Sequence, residues 1–288
     1  MKKIIGLITR MLPYPIRIKL KQQKRRILNK LKEVNTKKIT LNDVENLLLE
    51  DFGLKGGDKI IIASSFGNLN ADFTPKQLIE LLQSIITTKG IIMMPYYPPG
   101  KSFEWAKSGA VFDMQLTKSS MGILTNIFSQ MGGVLKSKHP TKAVCVWGDD
   151  APYYVEDHKD SVTPFSEGSP YEKLLRNGSR SLGLGLKNIP IFHTFEDLLL
   201  FDKEIYYESE KYNLPICENG KIEYIFTYVH DDNISSSLVR AGNYVRELNC
   251  HSYKRKSIGY AFCYIIDNSD LFECCKKEFT KDNTRMKK

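Results

Sequence analysis

Nothing in the 288 residues reads as a membrane span or a secretory leader: the apolar start Ile4-Ile5-Gly6-Leu7-Ile8 is broken by Pro13-Tyr14-Pro15 and is too short to cross a bilayer. The six cysteines (Cys145, Cys217, Cys250, Cys263, Cys274, Cys275) show no C-x-x-C spacing, which argues against a disulfide framework and a thiolate metal site and for free thiols in a reducing cytoplasm. No H-E-x-x-H or other paired ligand spacing is present, so no metal is expected. Gly183-Leu184-Gly185 lacks the third glycine and the helix start of a dinucleotide fingerprint, which removes the nicotinamide reading. There is no internal repeat or low-complexity stretch.

What remains is ordinary globular composition, 42% hydrophobic and 26% charged, enough for a sizeable core. The net charge of +9 is unevenly placed: residues 1–33 hold eleven Lys or Arg and one Glu, so the rest of the chain is nearly neutral. The basic character belongs to the N-terminal segment, and a nucleic-acid role for the whole chain is discounted. Residues 1–38 read as a basic extension in which Ile16, Leu20, Ile27 and Leu31 line one helical face, suited either to anionic lipid or to packing. Residues 39–279 read as one catalytic domain and 280–288 as a frayed tail.

Within the domain, Thr40-x-x-Asp43 and Thr74-Pro75-x-Gln77 are helix starts with capping boxes. Lys59-Ile60-Ile61-Ile62 and Ile91-Ile92-Met93-Met94 read as buried strands, followed by Ala63-Ser64-Ser65 and by the loop Pro95-Tyr96-Tyr97-Pro98-Pro99-Gly100. Residues 143–147, 181–186 and 260–266 read as further strands, Asn219-Gly220 as a hairpin turn, and the segment ending near Phe279 as a helix. Alternating strands and helices imply an α/β fold, whose ligands tend to bind beyond the carboxyl ends of strands. Ser119-Ser120-Met121-Gly122 and Ser169-Pro170 precede helices, whose N-termini suit phosphate or a carbonyl oxygen. Three of the five histidines, His139, His158 and His193, fall between residues 136 and 197, and His193 has Glu196 three residues on. A histidine with a carboxylate to fix its tautomer is a general-base arrangement. Cys145, inside the apolar run Ala143 to Trp147, reads as a buried inert thiol.

Met121-Gly122-Ile123-Leu124-Thr125, Ser137-Lys138-His139-Pro140-Thr141, Trp147-Gly148, His158 followed by Pro164-Phe165 and Ser169-Pro170, Leu182-Gly183-Leu184-Gly185 and His193-x-x-Glu196 occur in one register. That order resembles the aminoglycoside 3-N-acetyltransferase (antibiotic N-acetyltransferase) family over roughly residues 40–275. The resemblance implies a mixed β-sheet flanked by helices on both faces, distinct from the commoner N-acetyltransferase fold. It implies acetyl-CoA as co-substrate and His193 as catalytic base with Glu196, with His158 as a supporting or acceptor-binding residue. Ser64, Ser65, Ser119, Ser120, Met121, Gly122, Ser137 and His139 are the expected coenzyme contacts, and the aromatic loop after residue 94 is expected to wall the acceptor. The family commonly has histidine where this chain has Ala63, threonine where it has Pro190, and arginine where it has Lys136. These departures, with the basic extension, point to an amino sugar or nucleotide-linked sugar of surface-polysaccharide assembly as acceptor. Drug resistance by aminoglycoside acetylation and an inactive membrane-associated scaffold of the same fold are the alternatives. The expected location is the cytoplasm, with peripheral membrane contact through residues 1–38.

Overall fold

A computed structural model describes residues 38–199, 207–231 and 248–279, together with the isolated Gln23. The basic N-terminal segment, apart from Lys38 and Gln23, and the tail 280–288 lie outside the described residues. Ten strands are described: β1 (Lys59–Ser64), β2 (Ile91–Tyr96), β3 (Phe112–Asp113), β4 (Leu135–Lys136), β5 (Ala143–Trp147), β6 (Arg180–Leu184), β7 (Tyr207–Glu218), β8 (Lys221–His230), β9 (Lys254–Ile258) and β10 (Ala261–Asp267). The helices are α1 (Leu41–Asn46), which runs on as a π-helical turn Leu47–Asp51, then α2 (Phe66–Leu69), α3 (Pro75–Ile86), α4 (Ser102–Ser108), α5 (Ile123–Phe128), α6 (Ala151–Val155), α7 (Pro170–Arg176), α8 (Phe192–Leu199) and α9 (Asn268–Phe279).

Seven strands form one mixed sheet in the order β4-β5-β2-β1-β6-β10-β9. β2, β1 and β6 are parallel at its centre, and the strands outside them pair antiparallel. The runs 60–62 and 91–94 are apolar at every position because both faces are covered. Ile60, Ile62, Ile92 and Met94 pack on one face with Leu78, Leu82 and Ile86 of α3. Ile61, Ile91, Met93, Val144 and Val146 pack on the other with Tyr171 and Leu174 of α7, Phe192 and Phe195 of α8, and Leu271 of α9. The two-residue side-chain period therefore feeds two cores from one sheet. The expected mixed sheet with helices on both faces is the architecture observed.

Local signals explain the ends of these elements. Both capping boxes form: Thr40 with Asp43 opens α1, and Thr74 with Gln77 opens α3 behind Pro75. Asn219 and Gly220 take φ of 51° and 77°, as a two-residue turn between β7 and β8 requires, and β7 and β8 join β3 in a second sheet. Two glycines of the Leu182–Gly185 run are fixed by close approach. A Cβ on Gly183 would penetrate the ring of Tyr264, and one on Gly185, at φ 76°, would stand 2.7 Å from the carbonyl oxygen of Ser65. The Tyr264 hydroxyl donates to the carbonyl of Asn188, so β10 fixes the loop that leads from β6 into α8. Among the described residues no helix is long and apolar enough to cross a membrane.

Candidate active site

The loop after β6 carries the chain over the carboxyl end of the parallel strands and delivers it into α8. Phe192 and Phe195 of α8 turn into the core, which leaves His193 and Glu196, one helical turn apart, together on the adjoining face. His193 Nδ1 is 2.8 Å from Glu196 Oε2. Because a carboxylate only accepts, the imidazole donates from Nδ1 and keeps its lone pair on Nε2. The His193 side chain remains 13% exposed while that of Glu196 is fully buried. His193 lines a cavity of about 140 Å³ beyond the strand ends, together with Ala63, Ser64, Tyr97, Met121, Thr125 and Asn188.

The electrostatics suit a proton acceptor. Burial lowers the pKa of His193 and outweighs the opposing pull of Glu196, so the imidazole is held neutral and its lone pair available. Burial pushes Glu196 upward, but interaction with His193 and the neighbouring His230 outweighs it, and its carboxyl is held down to about 2. A neutral imidazole backed by an ionised carboxylate is ready to take one proton and stabilise the resulting imidazolium. Asp197, next along the helix, is raised by burial to about 6, against the hydroxyls of Thr163 and Tyr207, both of which donate to it.

His230, the last residue of β8, completes this cluster and was not singled out from the sequence as a site residue. It is 1% exposed, its Nε2 lies 3.9 Å from Glu196 Oε2, and its ring stands edge-on to His193 with centroids 4.6 Å apart. Phe165 packs against both rings, at 5.1 Å and 5.6 Å. The sequence showed His230 only beside Asp231-Asp232. Its approach to Glu196 depends on where a hairpin from the second sheet docks, which no local spacing encodes.

The model of the aminoglycoside 3-N-acetyltransferase family matches residues 61–280. The chain belongs to the aminoglycoside 3-N-acetyltransferase family. Membership makes it an acyltransferase whose co-substrate is acetyl-CoA. Solved structures with the same fold include YokD from Bacillus subtilis, at 21% identity and TM-score 0.67, covering 83% of this chain and 94% of that one. Aminoglycoside acetyltransferase AAC(3)-IVa in complex with a gentamicin matches at 20% identity and TM-score 0.67, over 86% of this chain and 91% of that one. AAC-IIIb with CoASH matches at 18% identity and TM-score 0.66, over 84% and 97%. No curated protein sequence matches.

Against this acetyltransferase fold, the residues expected from the sequence separate into two groups. Ser64, Met121 and His193 lie together on the cavity wall, as does Tyr97 of the aromatic loop. Ser65, Ser119, Ser120 and Gly122 lie in the adjoining segments and not on that wall. Ser65 donates its N–H to the carbonyl of Leu184, the Ser119 hydroxyl accepts from the N–H of Met121, and Ser120 donates to the carbonyl of Pro98. Gly122, at φ 108°, turns the chain into α5.

Ser137, His139 and His158 form the second group, and all three are fully buried. The Ser137 hydroxyl donates to His158 Nδ1 at 2.7 Å and itself accepts from the N–H of Val144, while His158 Nε2 donates to the carbonyl of Pro164 at 3.0 Å. His139 Nδ1 accepts from the N–H of Lys142 at 3.1 Å, its Nε2 meets Thr227 Oγ1 at 3.3 Å, and the two imidazoles stack with centroids 4.6 Å apart. Burial lowers both pKa values, that of His158 to about 3. Both imidazoles are thus neutral and enclosed, with every nitrogen engaged. Ser137 and His139, expected to contact the coenzyme, and His158, expected to take part in catalysis, stand in this structure as a buried brace between β4, β5, the loop before α7 and β8.

Proposed function

We propose that this acetyltransferase acetylates the amine of an amino sugar by direct attack on the thioester of acetyl-CoA, with His193 as general base. The observation that carries the reading is the His193–Glu196 pair, which presents a neutral Nε2 to the cavity at the carboxyl ends of β1, β2 and β6. The amine nitrogen forms a bond to the carbonyl carbon, the carbon–sulfur bond breaks, and the ammonium proton passes to His193 Nε2. The proton then leaves with the thiolate as the thiol of coenzyme A, or is lost to water. Ser64, Met121 and Tyr97 hold the reactants in line, and no acyl-enzyme is needed.

The cavity wall also supports a view of the acceptor. Among the described residues it holds no carboxylate, and the Lys142 ammonium lies 4.5 Å over the Tyr97 ring that lines it. A polycation is recognised by acidic groups, so this wall favours an amino sugar of low positive charge, free or nucleotide-linked. The second reading, acetylation of aminoglycosides in drug resistance, is favoured by the family and by the gentamicin-bound relative. The basic segment 1–33 supports peripheral contact with anionic lipid, which suits an acceptor on a membrane-bound carrier.

The test is kcat/KM for acetyl transfer to glucosamine, to a uridine diphosphate-linked amino sugar, and to gentamicin and sisomicin. At least tenfold higher kcat/KM on a mono-amino sugar supports the first reading. The reverse order establishes the second, and no transfer to any acceptor sinks the enzymatic reading.

A further inference from the structure

The side of His193 that faces away from the cavity is also a meeting point. His193 Nδ1 and His230 Nε2 approach the same oxygen, Glu196 Oε2, at 2.8 Å and 3.9 Å, and ligating atoms of the three residues all lie within 4.8 Å of one another. The other oxygen, Glu196 Oε1, is buried with no hydrogen-bond partner among the described residues, so the carboxylate retains an acceptor position that these residues leave unused. Two imidazoles and one carboxylate are a donor set of catalytic zinc centres, and imidazole suits zinc, cobalt and nickel. Zinc bonds to nitrogen and oxygen of about 2.0–2.2 Å hold neighbouring donors roughly 3–3.5 Å apart, which small side-chain rotations reach from the observed separations. The cavity reaches the edge of His193 and supplies an entry path. The H-x-x-E pair comes from α8 and the third donor from the end of β8, which is why linear spacing showed no metal motif.

We propose that His193, Glu196 and His230 form a transition-metal site, and that Zn²⁺ bound there switches acetyl transfer off by locking His193 in the wrong tautomer. The active imidazole carries its proton on Nδ1, donated to Glu196, and its lone pair on Nε2. A metal on Nδ1 takes that position. The neutral ring must then carry its one proton on Nε2, so the ring tautomerises through solvent with no net proton released. Nε2–H cannot accept a proton from the attacking amine. The ion sits behind the ring and not in the cavity, so acetyl-CoA still binds. Inhibition is therefore a loss of kcat with the KM for acetyl-CoA retained, unlike that of a metal that captures the coenzyme.

The inhibitory half of this proposal rests on the acetyl-transfer reading; the binding half does not. Zinc chloride titrated calorimetrically into the full-length protein is expected to show one ion per chain, and His230→Gln to weaken it at least tenfold with acetyl-CoA affinity retained. Co²⁺ supplies a second readout that needs no variant, since a bound tetrahedral nitrogen and oxygen site gives strong visible absorption and a hydrated octahedral ion does not. Transfer, followed by mass of the acetylated product because zinc also binds free thiols, is expected to fall ~10²-fold or more in kcat, the contribution of a positioned base. EDTA restores it, and His230→Gln resists inhibition relative to its own metal-free rate. Absence of zinc binding at millimolar concentration, equal binding by wild type and His230→Gln, or inhibition that raises the KM for acetyl-CoA at constant kcat overturns the proposal. Zinc binding by a protein that acetylates no acceptor overturns the acetyl-transfer reading alone, and transfer unaffected by zinc overturns this proposal alone.

Discussion

At the scale of single residues, the chemistry asks two different things of His193 and Glu196. In the proposed reaction His193 takes the proton, and Glu196, fully buried, holds the ring and its charge. His193→Ala is therefore expected to lower kcat by ~10²- to 10⁴-fold while acetyl-CoA affinity, measured by calorimetry, changes little. Glu196→Gln keeps the shape and removes the charge, and is expected to cost less. The double variant should lose little beyond His193→Ala, because the carboxylate acts only through the ring. Losses that multiply in the double variant would give Glu196 an independent role. This pair was legible from the sequence because i and i+3 share a helix face. Ala63, Ser64 and Tyr97 were legible as neighbours of the site because strands of a parallel sheet end together. His230 was not, since nothing local in Val229-His230-Asp231 tells where its hairpin docks.

At the scale of elements, the brace of Ser137, His139 and His158 is a consequence of enclosure. His158 is held neutral by burial with a pKa of about 3, against 6.5 when unfolded. A depressed folded-state value means that its contribution is complete above pH 6.5 and is lost as pH falls toward 3, because the unfolded chain takes up a proton that the native chain refuses. The loss is about 1.4 kcal/mol per pH unit for one group. Urea melts at pH 7, 6 and 5 are expected to show wild type losing stability faster than His158→Gln, with curves that converge toward acid. Parallel curves would mean that His158 takes up its proton as readily in the folded state as in the unfolded chain.

Ser137→Ala leaves the Nδ1 acceptor of His158 and the N–H of Val144 without their partner in the interior, which is expected to cost about 1–3 kcal/mol at pH 7 by the same melts. The sequence assigned these residues functional roles because their order along the chain resembles the family, and their burial was not part of that signal. Order along a chain does not distinguish a loop that faces solvent from one that folds inward. Capping boxes and the Asn-Gly turn were legible because each satisfies its backbone within a few residues. The turn of α1 into a π-helix at Leu47–Asp51 has no such local signal.

At the scale of the whole molecule, charge and fold occupy different parts of the chain. Among the described residues the packed core begins at Ile39, which is 4% exposed, bridges to Ala71 and packs with the cluster over one face of the large sheet. The residues ahead of it hold more than the whole net charge, since residues 1–33 alone carry eleven Lys or Arg and one Glu while the whole chain is +9. Deleting residues 1–37 is therefore expected to leave the melting temperature and transfer to a soluble acceptor unchanged. It should abolish flotation with vesicles of phosphatidylserine and phosphatidylcholine, because each engaged Lys or Arg contributes about 1 kcal/mol near an anionic surface. Binding of the full-length chain should fall steeply between 50 mM and 500 mM salt as screening shortens the reach of those charges. A full-length chain that does not float at low salt removes the membrane half of the proposed function and leaves the chemistry at His193 untouched. A truncated chain that melts earlier gives the N-terminal segment a packing role, and its Ile16, Leu20, Ile27 and Leu31 then belong against the domain and not against lipid.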